Sequence, residues 1–223
     1  MNAVITYIFG TNQELLREPL VLEPDTEYIC VTDQSNLKSK HWHIIFDNMP
    51  AAKCTRDKMP MVKYNPFKYT KAERIIVIDG TLQITGSLQT AFHQLDDIPL
   101  LVKPHPERNM LIDELVVWHN IRHLSSDIID KFIVMSAVDG ISLTNKFLIE
   151  SCVIGYNNWP IIHILCQSVL EYMKFLGNHG TLCKTNQCPF TYLIQKMNVP
   201  YSFIDQKLFA TRYRHNTWKI NNR

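Results

Sequence analysis

The sequence predicts a layered α/β fold in which helices flank a central, mixed but mostly parallel sheet. Three observations predict it. Short apolar runs such as "AVITYI" and "RIIVI" are continuous and β-branched rather than alternating, as in strands buried on both faces. Segments of helical spacing fill much of the chain between and after them. Two of the strands end in an acid, Asp33 and Asp79, at the end where open α/β sheets present their ligands.

Taken in order, "AVITYIFG" is a strand closed by Gly10, and "TNQELL" opens a turn or short helix. "TEYICVTDQ" gives a second strand, Glu27 to Thr32, and "HWHIIFDN" a third, His41 to Phe46. "KAERIIVIDG" is the fourth. "SLQTAFHQL" is a short helix and "PLLVKPHPERN" a strand running into a loop. "MLIDELVVWHNIRHL" is helical, with Leu111, Leu115, Val116 and Ile121 on its apolar face. "SSDIIDKFIVMSAV" is a helix capped by Ser125 or Ser126, with Asp127 in its first turn. A longer helix runs from Pro160 to Leu176 and closes at Gly177. "NQCPFTYLIQKMN" is a short last helix, and "YSFIDQKLFA" is strand or loop.

The 223 residues suffice for one domain, 1–223, with a sizeable core and a basic tail from about 211. No repeat or low-complexity linker divides them. A formal net charge of +2 gives no electrostatic case for nucleic acid as partner. "MNAVITYIFG" lacks the basic start of a secretory leader, and no apolar run approaches the roughly 20 residues of a membrane span. The expectation is a cytoplasmic chain with its six cysteines reduced. Cys183 and Cys188 have a spacing that can share a metal, but no second ligand pair lies near them in sequence.

The two strand-end acids carry the functional reading. One can accept hydrogen bonds from a base or ribose, and the other can hold a divalent cation that neutralises a diphosphate. The competing reading is structural. "DG" at Asp79–Gly80 is a common tight-turn dipeptide, and Asp33 suits an Asx-turn.

The order of motifs resembles GT-A type glycosyltransferases, most closely the glycosyltransferase-like family of bacterial polysaccharide loci and plant mucilage and pectin synthesis. Four blocks between Val4 and Asn198 carry the resemblance: "TEYICVTDQ" with "HWHIIF", "KYNPFKYTKAERIIVIDGTLQI", "KPHPERNMLIDEL" and "NQCPFTYLIQKMN". It implies transfer of a sugar from a nucleotide-diphosphate donor, a UDP- or GDP-sugar, to a glycan or lipid-linked acceptor. It also implies assistance from Mn²⁺ or Mg²⁺ and contact with the inner membrane face. Asp79 would be the metal carboxylate and a catalytic residue, with Gln187 at the reacting face. Thr11, Asn12 and Asp33 would surround the nucleotide. Lys63, Lys68 and Arg74 offer positive charge to the leaving diphosphate; solvent-exposed lysine is the plain alternative. His105, Arg108 and Glu114 either contact donor or acceptor, or pair with one another to fix a loop, with Asp113 able to replace Glu114. In the tail, "RYRHNTWK", His215 would complete the metal shell and Lys219 would meet the diphosphate; the alternative is a basic tail touching a partner or an anionic surface.

Three departures are plain, one of them that no arginine stands near "CVIGYN" where the family often has one. The strand ends Asp79-Gly80-Thr81 rather than D-x-D, so one metal carboxylate is missing, and Asn186 stands where the family has an acid. They favour a second reading, a catalytically degenerate module of the same fold that binds saccharide or acts as a scaffold. The "NQ" block and the lack of an obvious catalytic base lean toward retention of anomeric configuration.

Overall fold

A computed structural model describes residues 1–10, 16–121, 123–177, 182–183 and 185–211. In chain order it forms β1 (Asn2–Ile8), β2 (Thr26–Thr32), β3 (His43–Phe46), α1 (Thr55–Lys63), β4 (Arg74–Ile78), β5 (Leu82–Ile84) and α2 (Gln89–Asp97). There follow β6 (Leu100–Pro104), α3 (Leu111–Asn120), α4 (Ser126–Val138), β7 (Ile149–Asn157), α5 (Pro160–Leu176), α6 (Gln187–Lys196), β8 (Tyr201–Phe203) and β9 (Phe209–Thr211). The segment "TNQELL" and the tail beyond 211 lie largely outside the described residues, and with them Thr11, Asn12, His215 and Lys219.

Seven strands form one sheet in the order β3-β2-β1-β4-β7-β6-β8. Strands β1 to β4 run parallel, β8 runs parallel to β6, and β7 alone is antiparallel to both its neighbours. The mixed, mostly parallel sheet of the sequence reading is therefore the observed one. Its continuous apolar runs are explained by burial on both faces. Ala3, Ile5, Ile75 and Val77 point to the face covered by α3, α4, α5 and α6, while Val4, Ile76 and Ile78 point to the face covered by α2 and β5.

Several expectations need correction. β7 and α1 were not expected at all. On α3 the apolar face is Leu111, Leu115 and Trp118, with Glu114 buried among them; Val116 and Ile121 are 52% and 45% exposed. Gly177 ends α5, but in extended rather than left-handed backbone. The "DG" at Asp79–Gly80 does not close a hairpin, because β5 pairs with β9 in a separate two-stranded sheet and not with β4. Among the described residues no helix is long and apolar enough to cross a membrane.

Candidate functional site

The chain passes from β1 to β2 and β3 on one side, then returns to place β4 on the other side of β1. That reversal leaves a crevice beyond the carboxyl ends of β1 and β4, where ligands of open α/β sheets bind. Register brings specific groups there. Ile8 lies beside Thr32, Thr32 beside Phe46, and Ile5 beside Val77, so the residues just after the four strands share one edge. They include Gly10, Asp33, Asp47 and Asp79.

Each of the three acids meets a lysine from α1 or the turn after it. Lys58 Nζ is 2.7 Å from Asp33 Oδ2, Lys63 Nζ is 2.9 Å from Asp79 Oδ1, and Lys68 Nζ is 2.5 Å from Asp47 Oδ2. Sequence reasoning found Asp33, Asp79, Lys63 and Lys68 and missed Lys58 and Asp47. The missing signal was repetition: "HIIFD" ends a strand in an acid just as "RIIVID" does.

Asp79 sits at the crevice itself. Its Oδ1 accepts from the Tyr7 hydroxyl and forms an ion pair with Lys63 Nζ, and its backbone N–H donates to Cys152 O at 2.9 Å. Lys63 is nearly buried, whereas the Asp79 side chain is 33% exposed. Among the described residues Oδ2 has no protein partner, so one oxygen is anchored and the other is uncommitted. Burial, and then the Asp79 charge, push the Tyr7 phenol well above its usual range, so Tyr7 donates and does not titrate. Gly80 is required by close approach. A Cβ there would lie 2.5 Å from Tyr7 O, inside contact distance.

Asp33 ties the β1 and β2 ends together. Its Oδ1 accepts from Gly10 N at 2.9 Å, and Gly10 holds the left-handed φ of +83°. Burial opposes its ionisation, but Lys58 and the Gly10 amide overcome this and hold the carboxyl below its usual range. Gln34 closes the same corner by donating to Gly10 O at 2.9 Å.

Two further strands border Asp79. Lys103 on β6 pairs with Glu150 on β7, and its Nζ lies 3.7 Å from the Cys152 sulfur. Burial, then Glu150 and Asp79, push the Cys152 thiol far up, so it stays protonated. Ser151 donates to Asn186 Oδ1 at 2.6 Å, which seats the start of α6 against this strand. Gln187 is the first residue of that helix and is half-buried. Sequence reasoning missed Lys103, Glu150 and Cys152.

The "HPER" block is built as a clamp. Arg108 Nε donates to Glu114 Oε2 at 2.9 Å, and its NH2 lies 2.7 Å from His105 Nε2. His105 Nδ1 accepts from the amides of Glu107 and Arg108. Burial, then the Arg108 guanidinium, push the imidazole below its usual range, so His105 is neutral. The block follows β6, which ends on the same side as β4, so it borders the carboxyl edge. Asp113 instead accepts from the Met110 amide at 3.2 Å, at the start of α3.

Arg74 does not join the site. It begins β4 and grips Asp96 with Nη1 at 2.8 and 2.9 Å. The length of the strand, roughly 16 Å at about 3.3 Å per residue, separates it from Asp79. It lines a cavity of about 850 Å³ at the amino edge, with Asn2 and Thr26. That cavity lies at the amino ends of the strands, opposite the edge that carries Asp79.

No family model matches the sequence, and no curated protein matches it. Among solved structures, the crystal structure of mouse xyloside xylosyltransferase 1, apo form, matches with a TM-score of 0.52 at 11% identity, covering 92% of this chain and 85% of that one. This chain therefore has the fold of a solved glycosyltransferase.

Proposed function

We propose that this chain is a glycosyltransferase that moves a sugar from a nucleotide-diphosphate donor, a UDP- or GDP-sugar, to a glycan or lipid-linked acceptor. One observation carries the reading: an aspartate at the β1/β4 switch point, its side chain 33% exposed, has one oxygen anchored by Lys63 and Tyr7 and the other without a partner among the described residues. The fold shared with a xylosyltransferase supports it.

Asp33 and the Gly10 backbone suit the base or ribose, since each Asp33 oxygen keeps a second lone pair. Lys63 and Lys103 supply positive charge where a diphosphate would depart, with Lys68 further out. Gln187 lies toward the reacting face, beside the Asn186–Ser151 contact. His105 and Arg108 border the acceptor side.

Among the described residues no group of three His, Cys, Asp or Glu side chains converges on a metal. The open Asp79 oxygen nonetheless fits an ion held by one carboxylate plus substrate phosphates, as Mg²⁺ commonly is. Mn²⁺ or Mg²⁺ bound there would supply charge neutralisation to the diphosphate. His215 is the further ligand that the family resemblance implies.

The test is transfer itself. Asp79→Asn keeps the local hydrogen bonds of an aspartate but not its charge. We expect a folded variant with lowered melting, because the nearly buried Lys63 loses its counter-charge, and at least a hundredfold loss of transfer measured well below that melting temperature, about 2.7 kcal/mol of barrier. An asparagine variant as active as the parent makes Asp79 a turn residue and removes the reading. Donor binding without turnover in the parent favours the degenerate saccharide-binding module, which the anchoring of Asp79 Oδ1 and the missing second acid also suit.

A further inference from the structure

We infer that this protein carries a second saccharide site, away from the carboxyl edge, that takes neutral pyranose units of a glycan. It lies between the loop after α4, the end of α6 and the edge strand β8. The cavity there measures about 620 Å³, within the range of small-molecule sites.

Two features define its chemistry. The first is a ring platform. Phe147 and Tyr201 stack with centroids 4.6 Å apart and planes at 27°, and Phe203 meets Tyr201 edge-on at 5.7 Å. Tyr201 and Phe203 are 38% and 50% exposed, so the platform presents apolar surface to solvent. The second is an unmet donor. Gln195 lines the cavity, and its Nε2 is buried without a hydrogen-bond partner among the described residues, although its Oε1 accepts from Asn145 at 3.4 Å. A buried amide donor left unpaired costs about 1–3 kcal/mol, which a ligand acceptor would recover.

Partly exposed rings beside amide donors match a pyranose, which offers an apolar C–H face and hydroxyl acceptors at its rim. The wall is short of charge. Among the described residues Lys146 is the one charged group lining it, while nearby Lys196 is bound to Asp139 at 2.9 Å. That favours a neutral sugar over an anionic one.

The position links the two sites. Helix α6 starts at the Ser151 contact beside Asp79 and ends at this cavity, so its ten residues set a separation of about 15 Å. A glycan held on the platform could extend toward the carboxyl edge. That acceptor role rests on the proposed transfer; saccharide binding does not.

The experiment uses the full chain with cellopentaose, xylopentaose and maltopentaose, read by saturation-transfer NMR and calorimetry. At least one should bind. Tyr201→Leu and Gln195→Met, which keep bulk and remove the ring or the amide, should each lower that affinity at least tenfold with melting retained. Phe175→Leu, which removes an exposed ring elsewhere, should leave it unchanged. Failure of all three oligosaccharides to bind, or undiminished binding in both variants, overturns the site. So does a concentration-dependent dimer that Tyr201→Leu abolishes, which would make the platform a contact with a second copy. UDP and GDP titrations on the same samples report on the carboxyl-edge site separately, so either proposal can fail alone.

Discussion

Asp33 already accepts from Lys58 and the Gly10 amide, so any ligand it binds meets a carboxylate that cannot swing away. Asp33→Ala should therefore weaken nucleotide binding by about 1.5–3 kcal/mol, the worth of a charge-assisted hydrogen bond. Calorimetric affinity equal to the parent's would remove Asp33 from the site. His105 gives a pH prediction instead. Its folded pKa is depressed, first by burial and then by Arg108, while the unfolded ring titrates near about 6.5. Below that pH the unfolded chain takes up the proton first, so stability is full above it and falls as pH drops through it toward the lower folded value. Melting temperature against pH should show this acid slope, and His105→Asn should flatten it. An unchanged slope would mean that the imidazole is not held neutral by the clamp.

At the level of elements, what could be read from the chain was what local chemistry decides. β1, β2 and β4 announce themselves as β-branched runs, and α5 is bracketed by Pro160 and Gly177. What escaped depends on neighbours. α1 carries Pro60 in its interior and three basic residues, which reads as loop, yet it places Lys58 and Lys63 on two acids. β7 carries Gly155 and three polar residues, Glu150, Ser151 and Asn157, and only pairing with both β4 and β6 makes it a central strand. On α3 the apolar face was misread because Glu114 occupies a core position. Arg108, six residues earlier, reaches its carboxylate and makes that burial tolerable. The Asp79 strand was readable, but not the reason for its glycine. The structure gives that reason as crowding, with no positive φ at Gly80, so it makes its own prediction. Gly80→Ala should destabilise by about 1–3 kcal/mol, the usual cost of overpacking, because the obstructing atom is backbone. Denaturant midpoints would measure it, and a neutral substitution would show that the β1–β4 ends can spread.

For the whole molecule, two edges of one sheet compete as the ligand's location. The carboxyl edge has the switch point and the three acid–lysine pairs, while the amino edge has a cavity of about 850 Å³ around Arg74. Linkage can separate them without a structure of a complex. A ligand at a hundred times its Kd stabilises the native state by about 2.7 kcal/mol. In a domain of this size each kcal/mol raises Tm by about 2–4 °C, so a UDP- or GDP-sugar with Mn²⁺ should raise it by roughly 5–11 °C. Asp33→Ala and Asp79→Asn should blunt that shift at fixed ligand concentration, because each removes a group at the carboxyl edge. Arg74→Ala should lower the unliganded Tm, because it frees Asp96 and opens the amino edge, yet it should keep the full ligand shift. The reverse pattern, a shift lost in Arg74→Ala and kept in both aspartate variants, would move the nucleotide to the amino edge and leave the acid–lysine pairs as structural ties.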